Sequence, residues 1–181
     1  MRAEAQIAVD IRPWSEDDEP LLERLMADSA LGEYLEGTEA SDRIRQLHER
    51  YLQSTQTGQG PMFVIVLGSD REDAGSIGYW DRVLGGVHVC ELGWRILPEL
   101  RGRGIEMHAA ELVLQRARRA GKHRFLHAYP AVDDEPANAV CREIGFSLQG
   151  EVEIESAPDN FRRCNDWRLD LSSGATGGLG K

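Results

Sequence analysis

Apolar and polar positions repeat along this chain with two different periods. Alternating or unbroken apolar runs predict strands, and apolar residues three and four apart predict helices. The predicted strands are 7–14, 62–67, 77–83, 87–97, 125–129, 146–155 and 162–171. The predicted helices are one that follows Ser15 and carries Leu21 to Met26, one at 41–53, one from Ile105 to a stop at Gly121, and one at 135–143.

The order of these elements predicts the fold class. A helix between strands 87–97 and 125–129 predicts a crossover and hence a parallel pair. The turn at Gly85 and Gly86, and the composition of 70–75, predict hairpins. We therefore expect an α/β (α+β) protein with a mixed, mostly antiparallel sheet of about seven strands and helices on both faces. It should form one domain over 1–171, and we expect the small, polar tail 172–181 to be disordered.

Composition narrows the class of protein. The 181 residues are 41% hydrophobic and 29% charged, which is typical of a soluble globular domain. No apolar run reaches the ~20 residues of a membrane helix, and the N-terminus lacks a signal-peptide core, so we expect a cytoplasmic protein. The net charge of −10 argues against nucleic acid as a partner and is compatible with a cationic amine. The three widely spaced cysteines and the histidines show no metal-ligand spacing, so we expect no metal site.

The most informative stretch is 91–110, where a strand leads through Arg101-Gly102-Arg103-Gly104 into a helix. The glycines allow a sharp bend and close approach of a ligand, and the unpaired N–H groups of the helix start favour a phosphate. Two other phosphate loops are excluded. Ile105 and Glu106 stand where a Walker A loop needs Lys and Ser or Thr, and Met107 stands at the third glycine of the dinucleotide fingerprint.

Two motifs resemble those of the GNAT superfamily of acetyl-CoA-dependent acyltransferases. The sequence Arg101-Gly102-Arg103-Gly104-Ile105-Glu106 is similar to its Arg/Gln-x-x-Gly-x-Gly/Ala motif, except that Glu106 replaces Gly or Ala. The segment 134–146 resembles Asn-x-x-(Ser/Ala)-x-x-x-(Tyr/Cys)-x-x-Leu-Gly-Phe, with Asp134 in place of the first Asn. The segment 161–171 also looks like the last strand of bacterial GNAT proteins, so the resemblance spans nearly the whole chain.

This resemblance implies a GNAT fold and acetyl transfer from acetyl-CoA to an amine of a small molecule or protein. It implies that Ile96 and Leu97 pair with the pantetheine arm, where a backbone N–H would also stabilise the oxyanion. Asn138 and, less closely matched, Asp134 would lie along the arm. The pyrophosphate of coenzyme A would be held by Arg101, Gly102, Arg103, Gly104, Ile105 and Glu106.

Transfer to an amine requires a base for the ammonium and an acid for the leaving thiolate. Glu91 is the candidate base, directly or through water, although it also fits a solvent-facing strand carboxylate. Cys141 stands where many GNAT enzymes have a Tyr acid, and a buried inert cysteine is the alternative reading. Tyr129 is an alternative acid. A homodimer is compatible with the family.

Two other functions stay open at this point. A GNAT-fold protein with weakened or absent coenzyme A binding could act as a regulatory or assembly module, and Glu106 and Cys141 favour that reading. A phosphate binder without acyl chemistry needs only the loop at 101–104 and leaves the second motif unexplained.

Overall fold

The structure is a computed structural model that describes residues 8–27, 38–157 and 160–174. Ile7, the loop at 32–37 and most of the tail, 175–181, lie outside the described residues. The strands are β1 Val9–Pro13, β2 Met62–Leu67, β3 Glu72–Leu84, β4 Val87–Ile96, β5 Phe125–Ala128, β6 Ser147–Ala157 and β7 Asn160–Asp170. The helices are α1 Glu19–Ala27, α2 Thr38–Thr57, α3 Ile105–Ala120 and α4 Glu135–Glu143, with short 3-10 helices at Glu16–Asp18, Pro98–Leu100 and Leu171–Gly174.

The strands form one seven-stranded sheet in the order β1-β2-β3-β4-β5-β7-β6. The pairs β1–β2, β2–β3, β5–β7 and β6–β7 are antiparallel, and β4–β5 is parallel. The predicted mixed, mostly antiparallel sheet is therefore confirmed, including the parallel pair across the crossover helix. That pair has a single register position, Glu91 opposite His127.

Several local predictions differ from the structure. Strand β3 is longer than the predicted 77–83 and runs over Glu72–Leu84. Helix α2 extends beyond the predicted 41–53 at both ends, to Thr38–Thr57. The turn before β3 lies at 68–71 rather than 70–75, because Gly68 (φ 65°) and Arg71 (φ 54°) hold its left-handed positions. A 3-10 helix, Pro98–Leu100, precedes the glycine loop where the sequence shows only a loop. No helix in the described ranges is long and apolar enough to cross a membrane.

The chain divides into two compact units, and the predicted single domain over 1–171 stays a prediction. The first unit combines 1–79 with 94–109. All six residues of β2 are buried there. Beside the start of α1, Asp18 is 3% exposed and accepts two hydrogen bonds from the Arg12 guanidinium, at 2.7 and 2.8 Å. Burial raises the pKa of Asp18, but the bonds from Arg12 and Ser15 outweigh burial, so the pKa lies below its ordinary value.

The second unit combines 80–93 with 110–181. Its core contains the fully buried side chains of Leu92, Val113 and Leu126. The short strand β5 pairs with β7 at four positions, and β6 and β7 form a long hairpin. This unit positions the polar residues that β4, β5 and β7 carry.

Candidate active site

The loop before α3 has the backbone of an anion-binding turn. Gly102 and Gly104 have φ values of 74° and 70°, while Arg103 between them and Ile105 after them do not have positive φ. Left-handed residues next to a helix start are typical of the concave turns in which successive N–H groups bind an anion. A Cβ at either glycine would meet no atom within 4 Å, so the space beside both is open. The predicted phosphate loop therefore has room for a ligand.

Side chains hold both ends of this loop. The Gly104 carbonyl accepts the first helical bond from the His108 N–H at 3.5 Å and lies 2.9 Å from His108 Nδ1. The Arg101 Nε donates to the Ile96 carbonyl at 3.2 Å. These bonds leave the N–H groups at the start of α3 as the face that a phosphate can approach.

Glu106 lies in the first turn of α3 and is half-buried. Across the described residues, no ion pair joins it to Arg101 or Arg103. A pair with either arginine could hold this carboxylate away from a phosphate, but none is seen in the described chain. The effect of Glu106 on ligand binding stays a prediction.

The backbone groups of Ile96 and Leu97 are mostly used within the protein. The Leu97 N–H donates to the Ala74 carbonyl at 2.9 Å, and the Leu97 carbonyl accepts from Leu100 at 2.9 Å. The Ile96 carbonyl accepts from Arg101. The prediction that these residues supply the oxyanion donor therefore depends on the N–H of Ile96.

Glu91, in the middle of β4, forms an ion pair with Arg82 on β3. The Arg82 Nη1 donates to Glu91 Oε2 at 2.7 Å, and the Glu91 side chain is 13% exposed. It is therefore not the solvent-facing carboxylate of the alternative reading. The carboxylate is therefore held in place by a charged partner on the neighbouring strand.

His127 lies on β5, opposite Glu91 of β4, and forms a second polar pair. Its Nδ1 lies 2.7 Å from Asp166 Oδ1, and the two side chains are 15% and 19% exposed. Its ring stacks on Tyr129 with centroids 5.9 Å apart and planes at 17°. Burial, then the Asp166 and Glu91 carboxylates, raise the pKa of Tyr129, so the phenol stays protonated.

The sequence did not identify the His127–Asp166 pair, because its members are 39 residues apart on two strands. Only the β5–β7 register brings them to one face, since His127 is opposite Arg168 and Asp166 lies two residues before Arg168. The alternation of β5 alone would have placed His127 and Tyr129 on one face.

The second motif builds a helix with two well-formed ends. The Asp134 carboxylate accepts from the Ala137 N–H at 3.2 Å and so caps the start of α4. At the other end Gly145 has φ 93°, its N–H donates to the Arg142 carbonyl, and the Phe146 N–H donates to the Cys141 carbonyl. This is the Schellman arrangement, which explains the Gly-Phe ending of the motif.

Asn138 is buried, and its amide is fully used within the protein. Its Nδ2 donates to the carbonyls of Ala131 and Asp134, each at 2.8 Å. Its Oδ1 accepts from Asn165 at 2.7 Å and Trp167 at 2.8 Å. An amide has two N–H donors and two oxygen lone pairs, so none is left for a pantetheine arm. A ligand contact of Asn138 would require one of these four bonds to break.

Cys141 lies in α4 with no exposed surface. Burial raises its thiol pKa to about 12, from an ordinary value of 9.0. A thiol with no exposed surface is out of reach of a leaving thiolate, whereas Tyr129 is half-buried. This geometry favours the reading of a buried inert cysteine, and Tyr129 is the better-placed acid.

One mixed cluster of potential metal ligands occurs in the described part of the chain. Single ligand atoms of Asp81, Cys90 and His123 lie within 4.8 Å of one another, and the His123 Nε2 is 3.5 Å from Asp81 Oδ1. We assign no metal to this cluster.

A family model described as an acetyltransferase (GNAT) domain matches residues 9–147. No match was found among curated protein sequences.

Several solved structures share the fold. A ribosomal L7/L12 alpha-N-protein acetyltransferase, RimL, in complex with coenzyme A is 19% identical with a TM-score of 0.71, over 90% of this chain and 93% of that chain. A chimera of spermidine N-acetyltransferase SpeG from Vibrio cholerae and hSSAT is 18% identical with a TM-score of 0.71, over 93% and 98%. The structure of yncA from Salmonella typhimurium with its cofactor acetyl-CoA is 16% identical with a TM-score of 0.69, over 96% of this chain and 99% of that chain. At these identities the likeness concerns the fold.

Proposed function

The chain belongs to the GNAT acetyltransferase family, and from that premise we propose that it transfers the acetyl group of acetyl-CoA to a primary amine. The observation that carries the proposal is the open, left-handed backbone at Gly102 and Gly104 immediately before α3. Its N–H groups and the positive end of the α3 dipole would hold the pyrophosphate. Acetyl-CoA supplies the acetyl thioester.

The chain's own residues divide the remaining chemistry between a base and an acid. An amine is mostly protonated at neutral pH and cannot attack a thioester until it loses a proton. Glu91 and His127 are the candidate acceptors of that proton. Tyr129, which stays protonated, would return a proton to the leaving thiolate. The N–H of Ile96 would stabilise the oxyanion.

The acceptor class follows from charge and from the neighbours. RimL is named for acetylating the amino terminus of a ribosomal protein, and SpeG for acetylating spermidine. Both acceptors present a cationic amine, and a chain of net charge −10 attracts cations. We propose a protein N-terminal amine or a polyamine as the acceptor.

A GNAT-fold module with weakened coenzyme A binding is the competing proposal. Its support is Glu106, a carboxylate in the first turn of α3 with no arginine paired to it in the described chain. Calorimetry with acetyl-CoA decides between the two. An acetyltransferase should bind within the ordinary substrate range of about 1 µM to 1 mM and release coenzyme A with at least one amine from a panel of spermidine, an aminoglycoside, amino acids and short peptides. No heat of binding and no release with any amine would exclude acetyl transfer.

A further inference from the structure

We propose that His127, held by Asp166, is the group that accepts the proton from the amine, and that Glu91 is not the base. The inference rests on the proposed acetyl transfer. It assigns a catalytic role to His127 and a positioning role to Asp166.

The ring of His127 is oriented for this role. An ionised carboxylate only accepts hydrogen bonds, so the contact of 2.7 Å requires Nδ1 to carry a proton that it donates to Asp166. In the neutral ring the other nitrogen, Nε2, then has the free lone pair of a base. Tyr129 stacks on the ring and limits its rotation. Both members of the pair are mostly buried, so the orientation is kept.

In contrast to the His127 ring, the Glu91 carboxylate is already engaged in an ion pair with a cation. Arg82 donates to it at 2.7 Å from the neighbouring strand. A proton taken up by Glu91 would weaken that ion pair, whereas a proton taken up by His127 creates an imidazolium beside Asp166 and strengthens the second pair. Because Glu91 and His127 occupy the same register position of two parallel strands, their side chains leave the sheet on the same face. That face therefore presents two groups. The Glu91 carboxylate can bind the ammonium, and the His127 imidazole can act as the base.

The proton and electron balance is complete without another reactant. Nε2 of His127 takes one proton from the ammonium, and the freed nitrogen lone pair forms the new bond to the acetyl carbon. The carbon–sulfur bond then breaks, and the thiolate takes a proton from Tyr129. The amide nitrogen sheds its second proton to solvent, Tyr129 regains one, and His127 releases its own.

The charges that face His127 determine its pH behaviour. They are the Glu91–Arg82 ion pair from β4 and β3, Asp166 and Arg168 from β7, the phenol of Tyr129 and the thiol of Cys164. Burial raises the pKa of the Cys164 thiol. Free imidazole has a pKa of about 6.5 and a free Glu carboxyl about 4.3, so an imidazole base is expected to place the acid limb of a kcat/KM profile at a higher pH than a carboxylate base would.

The kinetic experiment compares His127→Gln, Glu91→Gln and Asp166→Asn, with the exposed His88→Gln as the matched control. We expect His127→Gln to lower kcat about 10²-fold or more at neutral pH, with the loss shrinking as the pH rises towards the pKa of the amine. Free imidazole should partly restore His127→Ala. Glu91→Gln should raise KM for the amine and keep the acid limb, and His88→Gln should behave as the parent. If the acid limb of the kcat/KM profile disappears in Glu91→Gln and is unchanged in His127→Gln, Glu91 is the base and the proposal is wrong.

A second readout does not require activity. Imidazole nitrogen NMR should show His127 as the Nδ1–H tautomer when neutral, and Asp166→Asn should weaken that preference. If the ring is found as the Nε2–H tautomer, Nε2 has no lone pair for a proton and the inference is wrong. If the parent acetylates no amine while the Nδ1–H tautomer is present, the acetyl transfer itself fails and the geometry stands.

Discussion

The loop 101–106 and the segment 134–146 carry the two family motifs, but they use their polar groups in opposite ways. At the loop, Gly102 and Gly104 have left-handed φ values, and the space beside both is open. In the segment, Asn138 makes four bonds within the protein and Cys141 has no exposed surface. Motif similarity alone therefore does not separate residues that bind a ligand from residues that hold the fold.

The largest expected effect tests the closed segment. Asn138→Ala removes four hydrogen bonds, including the one that the buried Trp167 indole N–H donates, while the Ala131 carbonyl keeps its bond from the Asp134 N–H. We expect a loss of about 3 kcal/mol in the free energy of unfolding, measured by urea denaturation. Asn165→Ala, which removes one of these bonds, should lose about 1 kcal/mol. If Asn138→Ala keeps its stability and loses acetyl-CoA affinity, the segment binds ligand after all.

The next effect tests the open loop. Gly104→Val places a β-branched side chain in the space beside the helix start and should weaken acetyl-CoA binding about tenfold or more, which is about 1.4 kcal/mol. Gly121→Val is the matched control, because Gly121 also has a left-handed φ of 62° and no atom within 4 Å of a Cβ. The two variants should share the backbone strain. Only Gly104→Val should lose acetyl-CoA affinity in calorimetry. If both variants bind acetyl-CoA equally well, this loop does not bind the pyrophosphate.

A smaller effect tests the thiol of the closed segment. Cys141→Ala should lower the free energy of unfolding by about 1 kcal/mol and change the rate of acetyl transfer by less than about twofold. In the folded parent the thiol keeps its proton up to a pKa of about 12, whereas an ordinary thiol ionises at 9.0. Its stabilisation is therefore complete below pH 9.0 and is lost as the pH rises towards 12. The variant should show a shallower decline in stability over that range. A large fall in its acetyl-transfer rate would restore Cys141 as the acid.

The smallest effect concerns Glu106, the residue at which the loop departs from the family motif. If its carboxylate points away from the phosphate, Glu106→Gln should change acetyl-CoA affinity by less than about threefold and cost about 0.3–1 kcal/mol of stability through the α3 dipole. A carboxylate about 5 Å from the pyrophosphate would instead oppose binding by about 3 kcal/mol. A hundredfold gain in affinity would therefore show the inward geometry and favour the weakened-binding module.

The sequence predicts features whose causes are local. Met62–Leu67 and Glu135–Glu143 match their predicted ranges, because an unbroken apolar run and a helix with Pro136 and Gly145 at its ends are complete signals within a few residues. The glycine loop is likewise predicted from a signal within a few residues. The bonds of Asn138 to β7 span 27 and 29 residues. Such partners depend on strand register, which one sequence does not specify.

The sheet order also sets when this enzyme can become functional during its synthesis. Strand β5 pairs with β4 at one position and with β7 at four, so its neighbours in the sheet are supplied mainly by a segment made later. The His127–Asp166 pair cannot form until β7 has left the ribosome. A nascent chain that ends before Asp166 can already contain the whole glycine loop. Acetyl-CoA binding and proton transfer should thus be acquired in that order as the chain lengthens, with the second appearing only when the C-terminal hairpin is complete.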